Sequence, residues 1–85
     1  SNDATLNMIN VSAKPLANYD SERFNYRLEI AKEASVPVVT VIKKEEAQTY
    51  EIRALGDTVQ IVVWAESKKD SAIYTLTFER LNHAA

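Results

Sequence analysis

The sequence predicts an all-β fold built from two packed sheets. Short segments that alternate apolar and polar residues recur along the whole chain, polar turns separate them, and 85 residues suffice for one compact core. A chain of this size buries about 60 to 65% of the surface its unfolded form exposes, so its core must be continuous. The sequence contains no cysteine, which removes disulfides, thiol nucleophiles and cysteine-ligated metals together. Stability therefore rests on packing.

The segment LNMINV at residues 6–11 opens the series. FNYRLEI at 24–30 follows with strict period two, placing Phe24, Tyr26, Leu28 and Ile30 on one face and Asn25, Arg27 and Glu29 on the other. VPVVTVIKK at 36–44 is rich in β-branched residues. Proline is tolerated at the start or edge of a strand, so Pro37 sets a strand start near Val38. TYEIR at 49–53 alternates through Tyr50 and Ile52, and Leu55-Gly56-Asp57 supplies a turn with the single glycine. TVQIVVWA at 58–65 sets Val59, Ile61, Val63 and Ala65 against Gln60, Val62 and Trp64. The polar link ESKKDS at 66–71 leads, as a loose hairpin, into SAIYTLTFER at 71–80. In that last segment Tyr74, Leu76 and Phe78 form the apolar face, which is expected to lie against an opposing sheet that includes Tyr26, Leu28 and Ile30.

Two windows also admit a helix. Over residues 20–34, Asp20 or Ser21 could cap one, but Tyr26, Leu28 and Ile30 would then be spread around it and onto its solvent side. Residues 43–55 contain good helix formers as well. Strand is the preferred reading of both.

Ten basic against twelve acidic residues give a net charge of −2, and the basic residues are scattered, which argues against a nucleic-acid partner. No apolar run approaches the roughly 18 to 20 residues that cross a bilayer, so no direct membrane insertion is expected. No charged and then apolar leader follows Ser1. The chain reads as a single domain, 1–85, excised from a larger protein, with a folded core over about 4–81 and a polar tail at 82–85.

The order of these elements resembles the cadherin-like β-sandwich domain of bacterial surface and secreted proteins. DATLNMINVSAKPLANYD is similar to that family's acidic-Ala-Thr-Leu opening, first strand, turn, leucine and aromatic. RFNYRLEI and VPVVTVI correspond to the strands that follow, and VQIVVWAESKKDSAIYTLTFER to the closing pair, with Tyr74 and Phe78 in a Tyr-x-x-x-Phe arrangement and Arg80 at the end. The likeness runs from Asp3 to about Arg80. It departs from the family in its turns, which usually carry glycine; Lys14 and Pro15 stand at one such place.

The resemblance implies an immunoglobulin-like (Greek-key) β-sandwich of about six to seven short strands. It also implies a non-catalytic accessory or spacer module of a larger exported bacterial protein, located in the periplasm, at the cell surface or outside the cell. Neighbouring domains of the parent chain would be its partners, with a glycan or surface protein as a further one, and it would need no cofactor.

The residues offer little chemistry to set against that expectation. Asp20 with Glu22, Asp57, and Glu66 with Asp70 fall in separate turns and form no DxDxDG loop, so they read as solvated turn residues and no metal is expected. Glu45 and Glu46 are adjacent and cannot face one substrate from one side of a strand; KKEE reads as a solvated hairpin turn. His83 is the single histidine, in the tail, and is a poor candidate for a catalytic base. No enzyme is expected.

Trp64 is the most informative residue. With Val59, Ile61 and Val63 facing the core, Trp64 falls on the outer face with Val62, near Ile73 and Thr75. There it could stack on a sugar ring or anchor a neighbouring domain, unless a bulge or a loop buries it. These four residues are the candidate binding set. Asp57-Thr58-Val59 and Asp70-Ser71-Ala72 fit a short bacterial O-glycosylation pattern, making Thr58 and Ser71 candidate modification sites, and Asn10-Val11-Ser12 fits the N-linked sequon.

Overall fold

The structure is a computed structural model that describes residues 1–82, so His83 and the last of the tail lie outside the described residues. Seven strands form: β1 Leu6–Val11, β2 Lys14–Pro15, β3 Asn25–Ile30, β4 Val39–Lys43, β5 Thr49–Leu55, β6 Thr58–Trp64 and β7 Ser71–Arg80. There is no helix among the described residues, and both windows that admitted one contain strands instead.

The strands make a two-sheet β-sandwich, with order β2-β1-β4 in the small sheet and β3-β7-β6-β5 in the large one. Leu6, Ile9 and Val39 of the small sheet, with Leu16 just after β2, are buried against Tyr26, Val59, Ile61, Val63, Tyr74, Leu76 and Phe78 of the large sheet. β3 is not where the sequence puts it. Rather than opposing β7, it runs parallel beside it in the same sheet, with Tyr26 level with Leu76 and Leu28 level with Phe78. Alternation identifies which residues face the core, but not which sheet carries them. The face opposite Tyr74, Leu76 and Phe78 belongs to β1 and β4.

The β3–β7 pair is parallel while every other pair is antiparallel. β4 begins at Val39, one residue later than expected, after Val38 gives its carbonyl to Ser12 N–H at 2.9 Å.

The turns show why glycine is scarce. Val11 pairs with Lys14 across Ser12 and Ala13, both at positive φ (50° and 67°), a two-residue turn of the I′ kind built without glycine. Gly56, at φ 63°, takes the first central position of the β5–β6 turn, where Leu55 pairs with Thr58. Positive φ at the first position alone is the II′ geometry. The segment containing KKEE is not a hairpin turn, because β4 and β5 lie in different sheets and the chain crosses between them.

Gln48 holds that crossing in place. It is buried, its Nε2 donates to the Asp3 and Thr5 carbonyls (2.9 and 2.8 Å), and its Oε1 accepts from Lys44 and Glu45 N–H (2.9 and 3.1 Å).

The β6–β7 ladder has two ends, and β7 runs from one to the other. At one, the Ser1 amino group meets Glu66 at 3.0 Å and Ser67 N–H donates to the Ser1 carbonyl. At the other, Arg80 grips both carboxylate oxygens of Asp57 at 3.1 Å and donates to the Lys32 and Ala34 carbonyls at 2.8 and 2.7 Å. That single guanidinium ties the β3–β4 connection, the β5–β6 turn and the end of β7 together.

Candidate functional site

The β6–β7 ladder brings the four candidate binding residues together. Val62 lies level with Ile73, Gln60 with Thr75 and Trp64 with Ser71, on the side of the large sheet away from the core. Their accessibility differs: Val62 keeps only 7% of its surface, Trp64 and Thr75 are half-buried, and Ile73 keeps 49%. Val62 is therefore the floor of the patch, and Ile73 is its most exposed apolar side chain. A shallow hollow lined by Phe24, Ser71, Ala72 and Ile73 adjoins it. The patch offers apolar area and one indole N–H, which suits stacking or packing but supplies no acid, base or nucleophile.

The two candidate modification sites open strands. Thr58 is half-buried at the start of β6, behind an Asp57 carboxylate engaged by Arg80, while Ser71 is exposed at the start of β7. Asn10 is half-buried within β1, paired on one side with Pro15 and on the other with Thr40.

Aromatic residues form a cluster that alternation alone does not reveal. Tyr74 is fully buried, accepts from Leu6 N–H at 3.1 Å and donates to the Ser21 carbonyl at 2.8 Å. Tyr19 donates to the Leu6 carbonyl at 2.6 Å, and Tyr26 both donates to and accepts from the Asp20 backbone. Phe24 lies 4.9 Å from Tyr74, and Tyr19 stacks on Tyr26 at 6.2 Å between centroids. Burial pushes the Tyr19 and Tyr74 phenols above their ordinary value, so both stay neutral. They serve as donors that lock the β2–β3 connection onto the sandwich. Tyr19 sits outside every alternating segment, so only its aromatic type and its place after Leu16 in the opening stretch mark it.

The acidic residues have separate occupations. Asp20 accepts from Glu22 N–H at 2.8 Å, Glu66 meets the amino terminus, and Asp57 meets Arg80. No three His, Cys, Asp or Glu side chains converge to hold a metal among the described residues.

β5 is a second surface, and the sequence reading missed it. Every residue of this strand is exposed, including Tyr50 at 44% and Ile52 at 38%. Tyr50, Ile52 and Ala54 lie level with Val63, Ile61 and Val59, and so belong to the core-facing side of the sheet. The small sheet has three strands to the large sheet's four, and it does not cover this face of β5.

Comparisons with protein-family models, with curated proteins and with solved structures find no match. The likeness to cadherin-like domains thus rests on the residues quoted for it.

Proposed function

We propose that this chain is a non-catalytic accessory or spacer module of a larger exported bacterial protein, of the cadherin-like kind, acting in the periplasm, at the surface or outside the cell. The observation that supports this reading is the placement of Ser1 and Arg80 at opposite poles of the sandwich. Neighbouring domains attached there would be carried away from opposite ends of the β6–β7 ladder. Such a module works mechanically, because a cooperative sandwich resists bending where an unstructured linker does not.

The test places the chain between a donor and an acceptor fluorescent protein and reads energy transfer on single molecules. The expected result is one narrow population that broadens only as urea unfolds the sandwich. A broad population under native conditions, or turnover of a glycan or peptide that a point substitution abolishes, would overturn the proposal.

A second reading is a carbohydrate- or protein-binding module using Trp64, Val62, Ile73 and Thr75. It draws on the exposure of Ile73 beside the hollow. A saturable change in Trp64 emission against a glycan panel, lost in Ile73→Arg, would favour it over the spacer.

A further inference from the structure

The four free edges of the two sheets are not equally protected. β2 has two residues and ends in Pro15; β4 follows Pro37 and meets β1 through a register shift between Leu6 and Met8. β3 shares an unbroken register and lacks proline, but unlike β5 its core-facing Tyr26, Leu28 and Ile30 are covered by the small sheet's side of the core. Proline, irregular register, short length and inward charges are the devices that keep sheet edges from pairing with other chains. β5 has none of these; the charges it does carry, Glu51 and Arg53, lie on the face away from the core. Its register with β6 is unbroken from Thr49 to Leu55, and its core-facing side carries Tyr50, Ile52 and Ala54 without a charge.

The backbone groups on this edge can be identified. Ala65 N–H donates to the Asp70 carbonyl and Phe78 N–H to the Asp57 carbonyl, so the odd-numbered residues of β6 bond toward β7. The even-numbered ones bond toward β5, where Thr49, Glu51, Arg53 and Leu55 receive them. The N–H and C=O groups of Tyr50, Ile52 and Ala54 consequently point out of the free edge.

The sequence TYEIRAL is complementary to itself about Ile52. Run antiparallel against a second copy with Ile52 opposite Ile52, it sets Tyr50 against Ala54, a large side chain against a small one, and Glu51 against Arg53, opposite charges. The outward backbone groups of Tyr50, Ile52 and Ala54 then meet as hydrogen-bonded pairs, giving about six new bonds. Glu51 and Arg53 fall at the closer, non-hydrogen-bonded positions, where cross-strand side chains interact most. Within one chain they already pair at 3.1 Å, so two copies bring four charges of alternating sign together.

We propose that β5 is a self-association edge: two copies pair through it about a two-fold axis at Ile52, joining two four-stranded sheets into one continuous sheet. Such an axis makes the contact isologous and closed, so the product is a dimer rather than a filament. One strand pair buries less than the roughly 1,200 Å² of a stable interface, and the association is accordingly weak and concentration-dependent.

Sedimentation equilibrium of the full chain tests this. A monomer–dimer equilibrium is expected, with a dissociation constant between about 10 μM and 1 mM. E51R and R53E each place like charges opposite one another twice across the axis, and each should weaken self-association about tenfold or more. Mixing E51R with R53E restores opposite charges at every cross-strand position, so the mixture should form a heterodimer while each variant alone stays monomeric. Unchanged far-ultraviolet circular dichroism and Trp64 emission would show that both variants fold. A chain that stays monomeric to about 1 mM overturns the proposal, and leaves β5 as an edge for a segment of some other protein. Association indifferent to E51R and R53E overturns it too, as does assembly beyond the dimer.

Discussion

Gln48 does more for this fold than any surface ion pair. Its amide uses both donor and acceptor ends within a buried site, joining the Asp3 and Thr5 carbonyls to the Lys44 and Glu45 N–H groups. Replacing it with leucine leaves those four backbone groups facing an apolar side chain, and unsatisfied buried polar groups cost about 1 to 3 kcal/mol each. Some of them would regain water, so Gln48→Leu is expected to lose about 2 to 4 kcal/mol in urea unfolding. Gln48→Glu should be no better, because a carboxylate cannot donate to the two carbonyls. By contrast the exposed Arg27–Glu79 pair, at 3.1 Å, should contribute about 0 to 1 kcal/mol, since water solvates both partners. A Gln48→Leu loss below about 0.5 kcal/mol would show that the crossing segment is not held by this amide.

The segment before β1 is held to the crossing between β4 and β5 by charge as well as by the amide. Hydrogen bonds from the Thr5 hydroxyl and N–H, and then Lys44 at 3.0 Å, bring the Asp3 carboxyl from its ordinary 3.8 down to about 2. A carboxyl whose folded value lies below its unfolded one stabilises the fold above the unfolded value, and that contribution is lost as pH falls through the folded one. Asp3→Asn should therefore be less stable than the parent at pH 7, with the gap closing between about pH 4 and pH 2; a gap that persists at pH 2 would assign the loss to something other than ionisation. Much of the element plan is legible in the sequence. The faces of β3, β6 and β7 follow from period two, and the patch of Val62, Trp64, Ile73 and Thr75 follows because β6 and β7 are consecutive and pair directly. The sheet that takes β3 is not legible, because a strand that crosses between layers shows the same alternation on either side. Nor is the exposure of Tyr50 and Ile52, since it depends on how far the small sheet reaches rather than on any neighbour in sequence. A turn is expected after β1 at Lys14 and Pro15, but those residues form β2 and the turn falls at Ser12 and Ala13, neither of which announces positive φ.

At the scale of the whole molecule, the sandwich is long and narrow, 50 × 21 × 18 Å, and β7 runs from the end of the β6–β7 ladder near Ser1 to the end near Asp57. Arg80 closes one pole, and the hydrogen bond from Ser67 N–H to the Ser1 carbonyl, which needs no free amino group, holds the chain at the other. That arrangement is what the proposed spacer role needs. The chain contains no cysteine, so Asn2→Cys and Asn82→Cys can be spin-labelled specifically and the distance between them measured by pulsed electron resonance. Ten strand residues in β7 span about 30 Å, and with the turn beyond Ser71 one narrow distance of about 30 to 40 Å is expected. A broad distribution, or a distance below about 20 Å, would place both ends on the same side and contradict an in-line module.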